Sequence, residues 1–190
     1  MRSVAFALIA ATAAATPALA QERAPFTGPR VEGVIGWDRV QAGGGHDDDV
    51  LYGVNAGYDA QMGGAVVGGE VEYTDSDTRS CFGSTTVADP RVCAKASRDL
   101  YVGGRVGTVV GERTLLYAGA GYTNAGVKVT SDDGTDEVTV DDGNLDGVRL
   151  KAGAEYAIGT NSYVKAEYRY SNYEQGVERH QALAGFGFRF

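Results

Sequence analysis

After residue 20, the sequence has no apolar run of the ~20 residues that a transmembrane helix needs. It also has no sustained helical periodicity, no repeat of fixed period and no long Pro- or Ser-rich linker. These absences exclude a helical membrane protein and a repeat array, and they indicate a single domain. Glycine, in contrast, contributes 28 of the 190 residues, about twice its average share of ~7%. Because a glycine within a helix costs about 1 kcal/mol, this content argues further against helices.

Positive charge and histidine are also scarce. Lys and Arg total 17 against 25 Asp and Glu, which gives a net charge of −8. Because phosphate contacts require a basic patch, we expect no nucleic-acid partner. The only histidines are His46 and His180, and neither lies near the two cysteines in the sequence. We therefore expect no metal site and no cofactor.

The N-terminus has the pattern of a secretory signal peptide. Arg2 precedes an apolar run over residues 4–15, and Ala18-Leu19-Ala20 then precedes Gln21. A charged start, a short apolar core and small residues at a cleavage site define such a signal. An uncleaved anchor helix is the alternative, but the apolar run is too short for it. We expect residues 1–20 to be a signal peptide and residues 21–190 to be the mature domain.

The C-terminus has two chemically different faces. Every second residue back from the terminus is apolar, and the alternate positions are mainly Gly, Gln and Arg. The apolar positions are Phe190, Phe188, Phe186, Ala184 and Ala182. Such a strand is typical of the closing strand of an outer-membrane barrel, where lipid covers one face and a polar interior the other.

Similar alternation recurs in eight segments along the chain. They cover about residues 30–39, 50–59, 67–73, 100–108, 116–123, 148–156, 164–170 and 182–190. Long connections over residues 41–49, 74–98, 130–144 and 171–178 alternate with short ones over 60–64, 110–114 and 159–162. The sequence therefore predicts an all-β fold: an eight-stranded antiparallel transmembrane β-barrel with short periplasmic turns and longer extracellular loops.

The face opposite the apolar stripe carries charges of both signs. They are Glu70, Glu72, Arg105, Arg149, Lys151, Glu155, Lys165, Glu167, Arg169 and Arg189. A soluble sandwich would expose these residues to water and bury the apolar stripe, but its core would need more Leu and Ile than that stripe offers. In a small barrel, whose interior is just wide enough for side chains, they would pair and plug the lumen. The expected pairs are Glu70 or Glu72 with Arg105, and Glu155 or Glu167 with Arg149, Lys151 or Arg169.

Outward aromatic residues fall near the strand ends, as expected of the belts at the two membrane interfaces. The inner belt would contain Tyr58, Tyr156 and Phe190, and the outer belt Trp37, Tyr73, Tyr122 and Tyr170.

Several motifs together resemble the outer-membrane β-barrel domain family. They are Tyr117-Ala118-Gly119-Ala120-Gly121-Tyr122-Thr123-Asn124, Ala154-Glu155-Tyr156, residues 164–170 and residues 185–190. The family groups opacity-like porin-family proteins with barrels similar to the transmembrane domain of outer membrane protein A. The resemblance implies a Gram-negative outer-membrane location, a structural or adhesive role and no shared catalytic residues. It gives no support for tethering to the cell wall, because no peptidoglycan-binding domain follows the barrel.

The resemblance also implies partners. The terminal aromatic strand, with Phe186, Phe188 and Phe190, would be the signal read by the barrel assembly machinery. Outer-membrane lipids and lipopolysaccharide would surround the wall, and a surface ligand stays unidentified.

Cys81 and Cys93 both fall in the second predicted outer loop. In an oxidising compartment, two cysteines this close in sequence are expected to form a disulfide. On the chain-entropy model, its contribution is about 3 kcal/mol. It would either resist proteases, the interpretation we favour, or stiffen a surface binding site.

Acidic residues are concentrated in two predicted outer loops. They are Asp47, Asp48 and Asp49 in one, and Asp132, Asp133, Asp136, Glu137, Asp141 and Asp142 in the other. Their spacing does not match an EF-hand, so we expect solvated loops rather than a calcium site.

Two alternatives to a structural or surface-interaction barrel stay open. A narrow porin for small solutes would need the lumen charges to rearrange. A lipid-modifying enzyme would need His180 within hydrogen-bond reach of a nucleophile, with Ser171, Glu174 and Glu178 close in sequence. Because no His-x-Ser lies on one strand face, we expect that the protein is not an enzyme.

Overall fold

The computed structural model describes residues 25–42, 45–76, 79–84, 91–132 and 137–190. The predicted signal peptide, residues 1–20, lies outside them. The strands are β1 (Gly28–Ala42), β2 (Gly45–Met62), β3 (Ala65–Ser76), β4 (Arg79–Phe82), β5 (Arg91–Val110), β6 (Thr114–Asp132), β7 (Glu137–Ala157), β8 (Ser162–Tyr173) and β9 (Glu178–Arg189). A 3-10 turn, Glu174–Gly176, separates β8 from β9.

Eight of the strands form a closed antiparallel barrel. Neighbouring strands pair in sequence order, β3 pairs with β5, and β1 pairs with β9 to close the ring. The short β4 lies outside the ring and pairs only with β5. Within the barrel wall, closure pairs the backbone groups of each strand on both sides, which a bilayer requires. The predicted fold class is confirmed.

Side chains alternate across the wall because successive residues of a strand point to opposite faces. In β8, the inward Tyr163, Lys165 and Arg169 are buried, whereas the outward Val164 and Tyr168 are exposed. The same inversion holds around the ring, with apolar residues outside and charged residues inside. The molecule is thus built to meet lipid with its outer face.

Short turns join the strands at the periplasmic end. Gly63 and Gly111 have φ of +62° and +69°, a conformation that favours glycine, and each opens a turn of two or three residues. At the same end, the Phe190 N–H donates to the Pro29 carbonyl at 2.9 Å, which joins the two termini of the barrel.

The strands rise further on the extracellular side than the sequence predicts. The expected loop over residues 74–98 contains β4 and the start of β5, and that over residues 130–144 contains the start of β7. Beyond the lipid, neither face of a strand needs to be apolar, so hydrophobic alternation ceases while backbone pairing continues. A sheet of β4, β5, β6 and β7 therefore extends above the membrane.

Within the described ranges, no helix is long and apolar enough to cross a membrane.

Candidate functional site: the charged barrel interior

Among the residues that the structure describes, the barrel interior holds equal numbers of buried basic and acidic side chains. The eight basic residues are Arg30, Arg105, Arg149, Lys151, Lys165, Arg169, Arg179 and Arg189. The eight acidic residues are Glu32, Asp38, Asp59, Glu70, Glu72, Asp99, Glu155 and Glu167. The formal charge of this set is zero, so the chain's net charge of −8 resides outside it.

All ten residues proposed from the sequence for the interior lie there, and six more join them. Glu32, Asp38 and Asp59 occupy inward positions of predicted strands, and the alternation alone could have included them. Arg30 begins the first predicted segment in phase with Glu32, so the alternation could have included it as well. Asp99 and Arg179 lie between a predicted loop and the strand that follows it, where the sequence assigns neither.

Asp59 is the centre of the periplasmic end of the network. Its carboxylate accepts hydrogen bonds from Arg105 Nε at 2.9 Å, Arg189 Nη2 at 3.0 Å and Arg30 Nε at 3.1 Å. Glu155 accepts from Arg105 and, at 3.0 Å, from Arg189. Five strands, β1, β2, β5, β7 and β9, are joined around two carboxylates.

The middle of the lumen contains both lysines. Lys151 pairs with Glu70 and lies 3.7 Å from Glu167, while Lys165 pairs with Glu32 and lies 3.5 Å from Glu167. Two tyrosines complete the layer, as their hydroxyls donate to the carboxylates. Tyr117 donates to Glu167 at 2.6 Å and Tyr163 to Glu32 at 2.8 Å.

Glu72 and Asp99 organise the layer above. Arg169 donates to both carboxylate oxygens of Glu72, and Arg149 lies 3.4 Å from the same group. Asp99 is paired with Arg149 and accepts from the Tyr173 hydroxyl at 2.9 Å. The bidentate geometry of the Arg169–Glu72 pair is typical of strong Arg–carboxylate pairs.

Arg179 closes the extracellular end of the described interior. Its Nε lies 2.7 Å and 2.8 Å from the two carboxylate oxygens of Asp38, and its Nη1 donates to Asp99 at 3.0 Å. Its Nη2 also donates to Ser76 Oγ at 3.1 Å. One side chain of β9 thereby joins β1, β3 and β5 across the lumen.

The observed pairing differs in part from the expected one. Arg105 contacts Asp59 and Glu155 rather than Glu70 or Glu72, because Gly68 rather than Glu70 lies opposite Arg105 in the β3–β5 register. Arg169 does contact Glu167, as expected, and it also pairs with Glu72.

An apolar plug lies below the ion pairs. Phe26, from the segment before β1, is fully buried with Val66, Leu115 and Tyr117 in the periplasmic mouth. Its backbone N–H donates to Gln61 Oε1 at 3.2 Å. The sequence alone gave no sign of this contact, because Phe26 precedes the first alternating segment.

The outer wall presents the predicted aromatic residues. Tyr58, Tyr156 and Phe190 are exposed at the periplasmic end, as are Trp37, Tyr73 and Tyr122 toward the other end, and Tyr170 is half-buried. Phe186 and Phe188 stack edge-to-face with centroids 5.1 Å apart.

His180 does not assemble a catalytic triad with the neighbours considered. It lies on the outer face, where a 2.7 Å hydrogen bond joins its Nδ1 to the Tyr168 hydroxyl. Ser171 lies on the inner face and accepts from Arg149 Nε at 2.8 Å. The wall therefore separates the two, and Glu178 is engaged by the Tyr170 hydroxyl at 3.0 Å.

Two acidic residues at the extracellular rim have defined partners. Hydrogen bonds from the Tyr122 hydroxyl and the Asn124 amide hold the pKa of Asp146 below its usual value. Asp48 accepts from Arg39 Nε at 2.7 Å. Asp133 and Asp136 lie outside the described residues. Among those that are described, no group of three or more His, Cys, Asp or Glu could hold a metal ion.

Cys81 lies directly opposite Cys93 in the β4–β5 ladder. Directly opposed residues in an antiparallel pair have their Cβ atoms about 4.5–5.5 Å apart. The register therefore places the two cysteines where the expected disulfide could form.

Known proteins share this fold and part of this sequence. A family model described as outer membrane protein beta-barrel domain matches residues 6–190. The 31 kDa outer-membrane immunogenic protein of Brucella melitensis is 31% identical over 180 residues, which covers 84% of this chain and 72% of that protein.

Two solved structures extend the likeness in fold. Ail of Yersinia pestis is 20% identical with a TM-score of 0.59, covering 86% of this chain and 99% of Ail. Neisserial surface protein A is 14% identical, also with a TM-score of 0.59, covering 86% of this chain and 98% of that protein.

Proposed function

Because this chain belongs to the outer-membrane β-barrel domain family, we propose that it is a closed scaffold barrel. It is a small barrel of the outer membrane, and its role in this proposal is structural or in surface interaction. The lumen is plugged by charged side chains, and the extracellular strands carry the contacts with partners.

The balance of the buried charges supports this proposal. Each layer joins carboxylates and cations from several strands, from Asp59 at one end to Arg179 at the other. Removing one partner of a buried ion pair typically costs about 3–5 kcal/mol. A solute crossing the lumen would have to disrupt several such pairs, together with the packing around Phe26.

Solute flux tests the proposal. Liposomes containing the protein purified from outer membranes would be placed in iso-osmotic glycine or arabinose, with empty liposomes and liposomes containing a general porin as controls. We expect swelling no faster than that of empty liposomes. Swelling that increases with the amount of protein would contradict a plugged lumen and favour a narrow porin.

The terminal strand is proposed to be the assembly signal. Phe186 and Phe188 lie on the outer face of β9, and Phe190, the residue after the strand, is 71% exposed. Phe190→Ala is expected to reduce the folded protein recovered from outer membranes several-fold while in vitro refolding is retained. Unchanged recovery would exclude this role.

The outer surface bears on the kind of ligand. Ail was solved in complex with a heparin analogue, sucrose octasulfate. Since the net charge of −8 here lies outside the lumen, a polyanionic ligand is disfavoured. Lipopolysaccharide is proposed as a neighbour of the outer aromatic belt, to be tested by its co-purification with wild-type protein and its loss on Trp37→Ala.

A Cys81–Cys93 disulfide is proposed to staple β4 to β5. Alkylation of the denatured protein before and after reduction would add no label and two labels, respectively. Two labels before reduction would exclude the bond.

A further inference from the structure

The extracellular part of β7 is paired on one side only. Its ladder with β6 continues to the pair Asp132 and Glu137, whereas its ladder with β8 begins at Gly147 and Tyr173. Within the described residues, no strand pairs with the other side of residues 137–146. β8 ends at Tyr173, and the chain passes through the turn Glu174–Gly176 into β9. β8 therefore does not continue alongside the extracellular part of β7.

Among the described residues, this edge is the longest that the extracellular strands leave open. The corresponding open edge of β2 covers residues 45–50, since its ladder with β3 begins at Leu51, and β4 has only four residues. Ten residues of β7 span about 33 Å at ~3.3 Å each. An unpaired edge presents a row of backbone N–H and C=O groups that another extended chain can pair with.

The charge of the edge selects between possible occupants. Residues 137–146 include Glu137, Asp141, Asp142 and Asp146, with no Lys, Arg or Pro. Two copies of this edge would repel each other, because like charges placed opposite in a ladder are destabilising. An extended segment rich in Lys or Arg would instead gain both backbone pairing and charge attraction.

A β-bulge in this edge limits pairing. The register with β6 shifts between Val129 and Thr130, which leaves Val140 of β7 as an extra residue in a bulge. Bulges increase local twist and interrupt a ladder. The regular stretch next to the barrel, residues 141–146, is therefore the part best suited to accept a partner.

We propose that residues 137–146 bind an extended basic segment of another protein by strand addition. The added segment would become the outer strand of the β4–β5–β6–β7 sheet above the membrane. Backbone pairing would supply affinity, and the carboxylates would supply the preference for basic partners. This inference rests on the proposed surface-interaction role and names its partner class.

The first test compares two probe peptides on the protein in lipid nanodiscs. One is a twelve-residue peptide of alternating Lys and Val, and the other has Glu in place of Lys. Fluorescence anisotropy is expected to show at least tenfold tighter binding of the Lys peptide, weakening as salt rises. Amide hydrogen exchange of residues 137–146 is expected to slow when the Lys peptide binds.

Proline variants at adjacent positions locate the site. The N–H groups of neighbouring residues point to opposite edges of a strand, so Gly143→Pro and Asn144→Pro differ in which edge loses a donor. One of them is expected to weaken binding at least tenfold and the other much less. Ser80→Pro, in the β4 edge, is the matched control and is expected to leave binding unchanged.

Charge variants keep the test valid if the proline variants fold poorly. Asp141→Asn and Asp142→Asn are each expected to weaken the Lys peptide roughly two- to fivefold and to reduce its salt dependence. Binding of a Thr–Val peptide would be unaffected.

Three results would overturn the inference: equal affinity for the Lys and Glu peptides, binding that survives both proline variants, or a dimer of the protein cross-linked through position 144. The last would make a second copy the occupant. None of these results bears on solute flux, so a failure here is distinguishable from failure of the closed-scaffold proposal.

Discussion

Asp59 lies between three arginines, and its carboxylate accepts hydrogen bonds from Arg30, Arg105 and Arg189. Asp59→Asn would leave these guanidinium groups buried around a neutral amide. Because a buried cation without its partner is costly, we expect the free energy of unfolding to fall by about 3–5 kcal/mol. Urea unfolding in micelles, followed by the fluorescence of Trp37, the single tryptophan, would measure this loss.

The matched control is an ion pair at the surface. Arg39 and Asp48 are joined at 2.7 Å, but their side chains are 37% and 38% exposed. Because water solvates such charges in either state, Asp48→Asn is expected to move the urea midpoint only slightly. An equal loss in both variants would mean that the lumen charges are solvated like surface charges.

Glycine has different roles on the two faces of the wall, and β1 offers a matched pair. A Cβ on the inward Gly36 would lie 2.4 Å from the Ala182 carbonyl oxygen and 2.5 Å from Leu183 Cβ, whereas one on the outward Gly33 would meet nothing within 4 Å. We expect Gly36→Ala to destabilise the barrel by about 1–3 kcal/mol through overpacking. Gly33→Ala should leave stability unchanged or slightly raised.

Thermal unfolding monitored by circular dichroism would compare the two alanine variants. If Gly33→Ala destabilised as much as Gly36→Ala, glycine would be required for its backbone conformation rather than for the lack of room for a Cβ inside the barrel.

The strands that cross the membrane could be predicted because lipid and a polar interior impose opposite chemistry on alternate residues. Lys165, Glu167 and Arg169 alternate with Val164, Ala166 and Tyr168, and the structure places the first set inside and the second outside. The eight-stranded barrel that these alternations predict is confirmed.

The extracellular parts of the strands could not be predicted in the same way. Residues 91–98 and 137–146 are strands, yet their faces do not separate by polarity, so alternation gives no signal. The ion-pair partner of each charged residue could not be predicted either, because the strand register decides whether Arg105 contacts Asp59 or Glu70. Arg179, which links three other strands, lies between the last predicted loop and the last predicted strand, outside every alternating segment.

The segment before β1 packs in the periplasmic mouth, where it would act as the proposed stopper. Phe26 is fully buried there, and the Arg189 guanidinium lies 5.3 Å from its ring centroid. Phe26→Ala would remove this packing and is expected to cost about 3–5 kcal/mol, the range for a buried aromatic. Urea unfolding would measure it, with Val31→Ala, on the outer face of β1, as a control of much smaller effect. No loss in Phe26→Ala would mean that the stopper does not pack in the mouth.

The barrel as a whole separates its charge by location. In the part of the chain that the structure describes, eight buried cations are matched by eight buried anions, and the net charge of −8 lies outside that set. The described interior therefore has no net charge with which to attract an ion, while the acidic surplus outside it would favour positively charged partners. This separation fits a scaffold that presents its surface better than it fits a channel.

Single-channel recording in a planar bilayer tests the closed lumen most directly, using protein whose folding is verified by a heat-shift gel. We expect no conductance steps from the wild-type barrel if its lumen is plugged. A variant lacking both stoppers, Phe26→Ala with Arg179→Ala, should conduct at least intermittently if it stays folded. Stable ohmic steps from the wild type would contradict a plugged lumen and make the protein a pore.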